Sequence, residues 1–474
     1  MEAEIVPAEV LVPPEAYGRG FRHDDAALVI DGYLRRLAGQ EARCRGVFGH
    51  LARSFLRRRG QQALGFARLG DYTRERLGLS ARELQSLAAV AERLEALPAI
   101  CAAFEDGGLS WAQVRLVAGV ASAETWPEPP PASSTPPDPD ETRAAFAPDL
   151  DWNAIREAIP DEVEGLAIGC TALDPFALDT RMRAVVRARQ RIDWQTGRLL
   201  RVFLDRRLYR LMGFSSAGRY LTERLGSSAR KARALVALER KTWQAPAFGE
   251  AYRAGDLSWV RALTVSPIVT EDTAAAWVGR AQEVTVRRLN DEVEWALAGR
   301  DGLAPVAPPP AGATLDEWQT CARPEWELTD SEITFTAPAS VVSLFRTAIL
   351  AFTDRTEWYW IGCERFLCHV RDEWRAQPRH RDPIFERDGW RCAVPACSSR
   401  RNLHDHHVLF RSRGGDNARD NRVTVCAAHH LHGIHAGRIR AWGTAPDGVT
   451  WELGVRPGHA PLLRCAGDRY VVAR

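Results

Sequence analysis

A chain of 474 residues exceeds what one ordinary hydrophobic core holds, which predicts about two to four domains. With 45% apolar and 26% charged residues and no run of about 18 apolar positions, the composition is that of a soluble globular protein and argues against membrane insertion. The formal charge of +2 says little about partners, but its distribution says more: Arg379 to Arg440 holds twelve Arg against six Asp or Glu. That excess either suits a phosphate backbone or merely solvates a small domain.

Met1 to Leu11 carries Glu2, Glu4 and Glu9 and lacks the basic start and apolar core of a secretory signal, so the expected location is the cytoplasm. Ten Cys without an export signal argue against a disulfide scaffold. Cys44, Cys101, Cys170, Cys321, Cys363, Cys368 and Cys465 are scattered and read as small buried apolar residues. Cys392, Cys397 and Cys426 instead share a stretch with seven of the twelve His.

Along the chain, Trp126 to Asp140 and Gly302 to Ala313 are too rich in Pro for helices or inner strands and read as linkers, drawn at 126–147 and 301–314. They set off a first region (1–125), a second (148–300), a connector (315–380) and a C-terminal module with an extension (381–474). The first two regions are related. At a constant offset of 148, Gly70 to Trp111 and Gly218 to Trp259 share 18 identities in 42 positions, an internal duplication of one supersecondary unit.

Each copy reads as helices. Ser80 with Glu83 forms a capping box, and Leu84, Leu87, Ala91 and Leu94 repeat at helical spacing over about four turns until Pro98. After Gly107 and Gly108, Ser110 with Gln113 caps a second helix whose apolar face is Trp111, Val114 and Val117. The second copy keeps Ser228 and Ser258 but has Lys231 and Arg261 at the reciprocal positions. Tyr72, Tyr220, Trp111 and Trp259 read as core aromatics rather than base-stacking platforms. The short turns before Leu109 and Leu257 allow a helix-turn-helix DNA reader as well as a purely structural hairpin. Beyond the second linker, Ile333 to Phe335 and Pro338 suggest a short strand or turn. Ser340 to about Gln377 then reads as one long helical stretch closing the helical body, with Cys368 and His369 in packing roles.

The C-terminal module carries the chemistry. Cys392-x4-Cys397 and Cys426-x2-His429 are two close pairs of soft ligands, the set that tetrahedral Zn2+ takes from two loops brought together. Metal binding would be coupled to folding in so short a module. Between the pairs, Leu403 to Leu409 fits a strand, Gly414-Gly415 a tight turn, Asn421 to Val425 a returning strand, and Ala427 to His435 a helix. The fold class expected overall is mainly α, built on the duplicated unit, with a small α+β module at the C-terminus.

The string His406-His407, Gly414-Gly415, Asn421 and Cys426-x2-His429-His430 resembles the HNH endonuclease family, whose core is a ββα fold around one catalytic divalent ion. The likeness covers about sixty residues. It implies that His407 is the general base and His406 the adjacent metal ligand on the first strand. Asn421 would be the middle Asn, able to orient the supporting loop, and His430 the last His of the name. Cys392, Cys397, Cys426 and His429 match the structural zinc knuckle that many members add, although the first pair is spaced by four rather than two residues and His429 stands where Cys is commoner. His435 is an additional candidate ligand, while His404 and His432 read as surface or supporting residues. The duplicated region, with its LS-Trp endings, resembles more loosely the helical region ahead of HNH modules in one bacterial subgroup.

The resemblance implies metal-dependent hydrolysis of DNA, with Mg2+ or another divalent ion at His406 and His430, leaving a 5′-phosphate and a 3′-hydroxyl. Arg411 and Arg413 either grip phosphates beside the scissile bond or pair with Asp416 and Asp420. A symmetric double-strand cut would favour a homodimer. The competing expectation is a zinc knuckle that binds DNA or protein without cutting.

Overall fold

Ile30, Leu34, Leu37, Cys44, Phe48, Leu51 and Phe55 recur at helical spacing and are all buried, which places one continuous apolar stripe along a 35-residue helix, α1 (His23–Arg57). Described in a computed structural model of the chain are residues 23–105, 109–121, 161–298, 306–310, 313, 334, 336–376 and 383–471. The first linker (126–147), Gly107-Gly108, Ile333 and Phe335 lie outside them. Short helices α2 (Gly60–Ala63) and α3 (Leu69–Tyr72), the latter running into a π-wound turn over Thr73–Leu77, lead to α4 (Ala81–Leu94), α5 (Pro98–Glu105) and α6 (Trp111–Val120). Pro98 thus opens a helix rather than only closing one, as its fixed φ and missing N–H allow.

The second region repeats this order. After α7 (Asp161–Gly165), the 31-residue α8 (Pro175–Asp205) is the counterpart of α1. It is followed by α9 (Ala217–Arg219), a π-wound turn over Tyr220–Arg224, α10 (Ala229–Gln244), α11 (Pro246–Ala254) and α12 (Trp259–Val265). The second copy then adds α13 (Ala274–Glu283) and α14 (Val286–Ala298).

The two copies interlock. Tyr72 Oη donates to Asp179 Oδ1 at 3.0 Å, and its counterpart Tyr220 donates to Asp31 at 2.9 Å. Arg76 and Arg224 close on the same two carboxylates at 2.6 and 2.8 Å. Asp31 and Asp179 are themselves separated by the repeat offset, so each tyrosine bonds the aspartate of the other copy, and the duplication reaches back into the long helices. Phe55 stacks on Tyr72 at 4.7 Å and Phe203 on Tyr220 at 4.5 Å, again at equivalent positions. Gly78 (φ +64°) and Gly226 (φ +60°) must be glycine on both counts: the left-handed backbone, and Ser258 and Ser110 pressed against the space a Cβ would take. Burying these phenols against carboxylates pushes both tyrosine pKa values up.

Equivalent positions near the approximate two-fold carry opposite charges. Glu41 corresponds to Arg189, Arg45 to Asp193 and Glu83 to Lys231. Arg189 reaches Glu41 and Glu83, each at 3.1 Å, and Lys231 reaches Glu41 at 3.2 Å and Asp193 at 2.8 Å. Two identical copies would set like charges together here; divergence has made the contact complementary. It also breaks the capping box foreseen at Ser80. Ser80 accepts from the Glu83 amide at 3.1 Å, but the Glu83 carboxylate is drawn to Arg189. The box at Ser110 and Gln113 is complete. Ser110 and Ser258, the caps of α6 and α12, thus each pack against a glycine of the opposite copy.

Part of the second expected linker is docked: Val306 and Pro309 carbonyls accept from Trp277 Nε1 (2.9 Å) and Arg280 (2.7 Å). The stretch read as one helix from 340 is two, α15 (Ala339–Ala351) and α16 (Tyr359–Ala376), broken around the Asp354–Glu357 turn. They pack chiefly on each other through Phe345, Phe352 and Phe366, and Trp358 and Trp360 are exposed, so they do not close the helical body. Among the described residues no helix is long and apolar enough to cross a membrane.

The C-terminal module begins with α17 (Pro383–Arg387) and an antiparallel pair, β1 (Leu403–His407) and β2 (Arg422–Cys426), in which His406 faces Val423 and His407 faces Arg422. A π-wound helix over His429–Ile434 follows. A second sheet, not foreseen as such, is an antiparallel meander of β3 (Ile439–Thr444), β4 (Gly448–Leu453), β5 (Leu463–Ala466) and β6 (Arg469–Tyr470). Its Trp451 and Leu453 complete a core with Val423, Val425 and Ile434. The chain is therefore mainly α, with a small antiparallel α+β module at its C-terminal end.

Candidate metal centre and active site

Two loops bring the soft ligands together. The turn between Cys392 and Cys397 places both thiols in the module core, and the step from β2 into the π-wound helix adds Cys426 and His429, all four buried. His429 Nδ1 lies 3.3 Å from Cys392 Sγ and 3.6 Å from Cys426 Sγ. Tetrahedral Zn2+, with bonds of about 2.3 Å to S and 2.0 Å to N, would need edges of about 3.5 Å. Hydrogen bonds with Cys392 and Cys426, and then burial, raise the Cys397 pKa, whereas hydrogen bonds with Cys392 and Cys397 lower that of Cys426. Burial opposes a charge on His429, yet the neighbouring cysteine sulfurs, Cys392 first and then Cys426, lift its pKa to about 10. Such a knot of buried sulfur is what a dication relieves.

The knuckle is held from the helical body. The Ala67 backbone nitrogen lies 3.0 Å from His429 Nε2, and Ser398 Oγ donates to Asp71 at 2.7 Å. Buried Arg287, at the start of α14, donates to the carbonyls of Cys392 (2.8 Å) and Cys397 (2.6 Å) and pairs with Asp468 after β5. The module is thus packed against the helical body rather than free-standing.

Alternation along β1 sends His404 and His406 to one face and Asp405 and His407 to the other. On the first face the nitrogens of His406, His430 and His435 lie within 4.8 Å of one another. His435 Nε2 is 3.2 Å from His430 Nε2, close to the roughly 3.3 Å separation of two imidazoles on one ion. His406 is 3% exposed and its Nε2 is a buried atom without a hydrogen-bond partner. Burial, then the neighbouring His430 and His435, depress its pKa to about 3, so the ring is neutral with its lone pair free. Burial, then His435 and His404, depress the His430 pKa as well. The structure therefore brings together the three histidines read from the sequence as candidate ligands. Asp405, the nearest carboxylate in sequence, is ion-paired with Arg422 on the other face. Of the divalent ions anticipated from the sequence, Mg2+ or another, three imidazoles without a carboxylate suit Zn2+, Ni2+ or Co2+ better than the oxygen-seeking Mg2+.

On the opposite face His407 is half-exposed, and its Nε2 meets Asn417 Oδ1 at 2.9 Å. Asn421 braces the loop in between. Its Oδ1 accepts from the Leu409 amide (2.7 Å), and its Nδ2 donates to the Leu409 (3.1 Å) and Asp416 (2.9 Å) carbonyls. Gly415 is required where the loop closes, because a Cβ there would strike the Leu409 carbonyl and Asn421. Arg411 and Arg413 sit exposed on the 3-10 turn over Arg411–Arg413, with Arg413 over the Phe410 ring. Among the described residues neither pairs with Asp416 or Asp420, which leaves both cations available.

Residues 31–134 match the family described as a domain of unknown function, DUF222. The match covers the first helical copy and ends far before the zinc knuckle. No curated protein and no solved structure matches the chain. Sequence reasoning missed Asn417, Arg287 and Ala67. None has a periodic or spacing signal, since each acts through a contact between segments distant in sequence or within an irregular loop. His404 was left in a minor role, although its alternation with His406 places it on the same strand face.

Proposed function

We propose that this chain is an HNH-type endonuclease that hydrolyses DNA phosphodiesters in its C-terminal module. The observation that carries the reading is the convergence of His406, His430 and His435 on one side of β1, with His407 held by Asn417 on the other. A structural knuckle already supplied with Cys392, Cys397, Cys426 and His429 has no need of a second cluster. DUF222 regions often precede HNH modules in bacteria, which supports the assignment.

In this reading the phosphate lies over the edge of β1, where it reaches both faces. His407 donates its Nε2 hydrogen to Asn417, leaving Nδ1 to take a proton from the attacking water. Asn421 keeps the Leu409–Asp416 loop, and with it Asn417, in place. Arg411 and Arg413 hold the flanking phosphates. An ion bound by the three histidines would supply charge stabilisation at the phosphate and the leaving 3′ oxygen. The leaving 3′ oxygen takes a proton from solvent and His407 releases its own to solvent, so the products carry a 5′-phosphate and a 3′-hydroxyl.

The test is cleavage of supercoiled plasmid with Zn2+, Ni2+, Co2+, Mn2+ or Mg2+, together with metal analysis. Wild type should nick or linearise the plasmid, and His407→Ala should abolish cleavage while binding metal normally. Equal cleavage by both proteins refutes the assignment of the base. DNA binding without cleavage under any ion would favour the zinc-knuckle binding module instead.

A further inference from the structure

His430 uses both of its ring nitrogens. Its Nε2 faces His435 Nε2 at 3.2 Å, inside the three-histidine cluster, while its Nδ1 meets His404 Nδ1 at 2.9 Å. The two rings stand nearly perpendicular, at 87° with centroids 5.2 Å apart, so the contact is edge-on through the nitrogens rather than a stack. Two imidazole nitrogens at this distance share one hydrogen, and only two arrangements exist. If His404 donates, His430 Nδ1 is the bare nitrogen and Nε2 carries a hydrogen pointing into the cluster, which blocks it as a ligand. If His430 donates, Nε2 is bare and points its lone pair where His406 and His435 point theirs.

We infer that His404 is the positioning residue for the metal centre: it accepts the Nδ1 hydrogen of His430 and so fixes the tautomer and ring orientation in which His430 Nε2 is a ligand. The inference rests on the proposed ion at His406, His430 and His435. A ligating histidine normally gives its second N–H to a carboxylate or a backbone carbonyl. Here a second imidazole takes that place, supplied by β1 because residues two apart share a strand face. His404 thus ties β1 to the π-wound helix and sets the angle between the two elements that carry the ligands.

The experiment is a Co2+ titration of the zinc-loaded full chain, followed by the visible absorption of the second site. Wild type, His404→Asn and His404→Phe are compared. Asn offers an amide oxygen close to where the Nδ1 acceptor stood, whereas Phe keeps the ring contact and offers no acceptor. Co2+ affinity should fall about 10- to 100-fold in His404→Phe and recover most of that loss in His404→Asn. Knuckle zinc content and the thermal midpoint should not change. Unchanged affinity in His404→Phe overturns the inference. Equal loss in both variants, with an altered Co2+ spectrum, also overturns it, because His404 would then be a direct ligand. Failure of wild type to take up a second ion would instead refute the metal-centre reading on which it rests.

Discussion

Arg287 ties the helical body to the candidate zinc knuckle, and replacing it by Met keeps most of the stem while deleting the guanidinium. The residue is 8% exposed. It donates to the carbonyls of Cys392 at 2.8 Å, Val394 at 3.3 Å and Cys397 at 2.6 Å, and its other amino group pairs with Asp468. Burial raises the Asp468 pKa, but the Arg287 charge overrides it and holds the carboxyl below its ordinary value, with Thr285 and the Ala396 amide as lesser supports. Removing one member of a buried pair strands the other and typically costs about 3–5 kcal/mol. A loss of about 3 kcal/mol would raise the population of the opened knuckle roughly 100-fold. Zinc release to a chromogenic chelator is the suitable assay, because it reads local opening without requiring the whole chain to unfold in one step. Arg287→Met should release zinc about 100-fold faster, and Arg287→Met combined with Asp468→Leu should recover at least tenfold, since no buried charge is then stranded. Release unchanged in the single variant, or a double variant as fast as the two single effects combined, would refute the coupling.

Three further outcomes are expected. Tyr72→Phe and Tyr220→Phe should each cost about 1.5–3 kcal/mol in urea unfolding, because each removes a buried hydrogen bond to a charged group. A large inequality between them would contradict the equivalence of the two copies. Burial raises the pKa of Glu41, but Arg45, Lys231 and Arg189 together hold it well below its ordinary 4.5. The folded pKa lies below the unfolded one, so the stabilisation is present above about pH 4.5 and fades as pH falls toward the folded value. Glu41→Gln should therefore be less stable at neutral pH and flatten the acid limb of a stability–pH curve; an unaltered limb would discount the ion cluster. Cys392→Ser should lose zinc and module folding together, reported by red-shifted fluorescence as buried Trp451 meets water, and a variant that keeps its ordered module would show the metal to be dispensable.

The sequence by itself determined the classes of element and the candidate ligands. Helical spacing in α1 and α4, serine caps at Ser80, Ser110, Ser228 and Ser258, and two soft-ligand pairs around a histidine string are local signals, written within a few turns or one hairpin. The repeat was read from Gly70 onward, although the ends of the long helices carry it too, with Gly49, Leu51, Arg53, Phe55 and Leu56 matched by Gly197, Leu199, Arg201, Phe203 and Leu204; further toward their N-terminal ends most positions change residue and, at Glu41 and Arg45, charge sign. Tertiary structure decided what depends on the meeting of distant segments. It placed Tyr72 on Asp179 and Tyr220 on Asp31, seated the knuckle on Ala67 and Arg287, and set His404 against His430. It also split the stretch from 340 to 377 into two helices and gathered the last strands into a sheet. Periodicity records which face of an element is buried, but it carries no information about which other element does the burying, and hydrogen bonds between buried polar groups are settled only when both partners arrive.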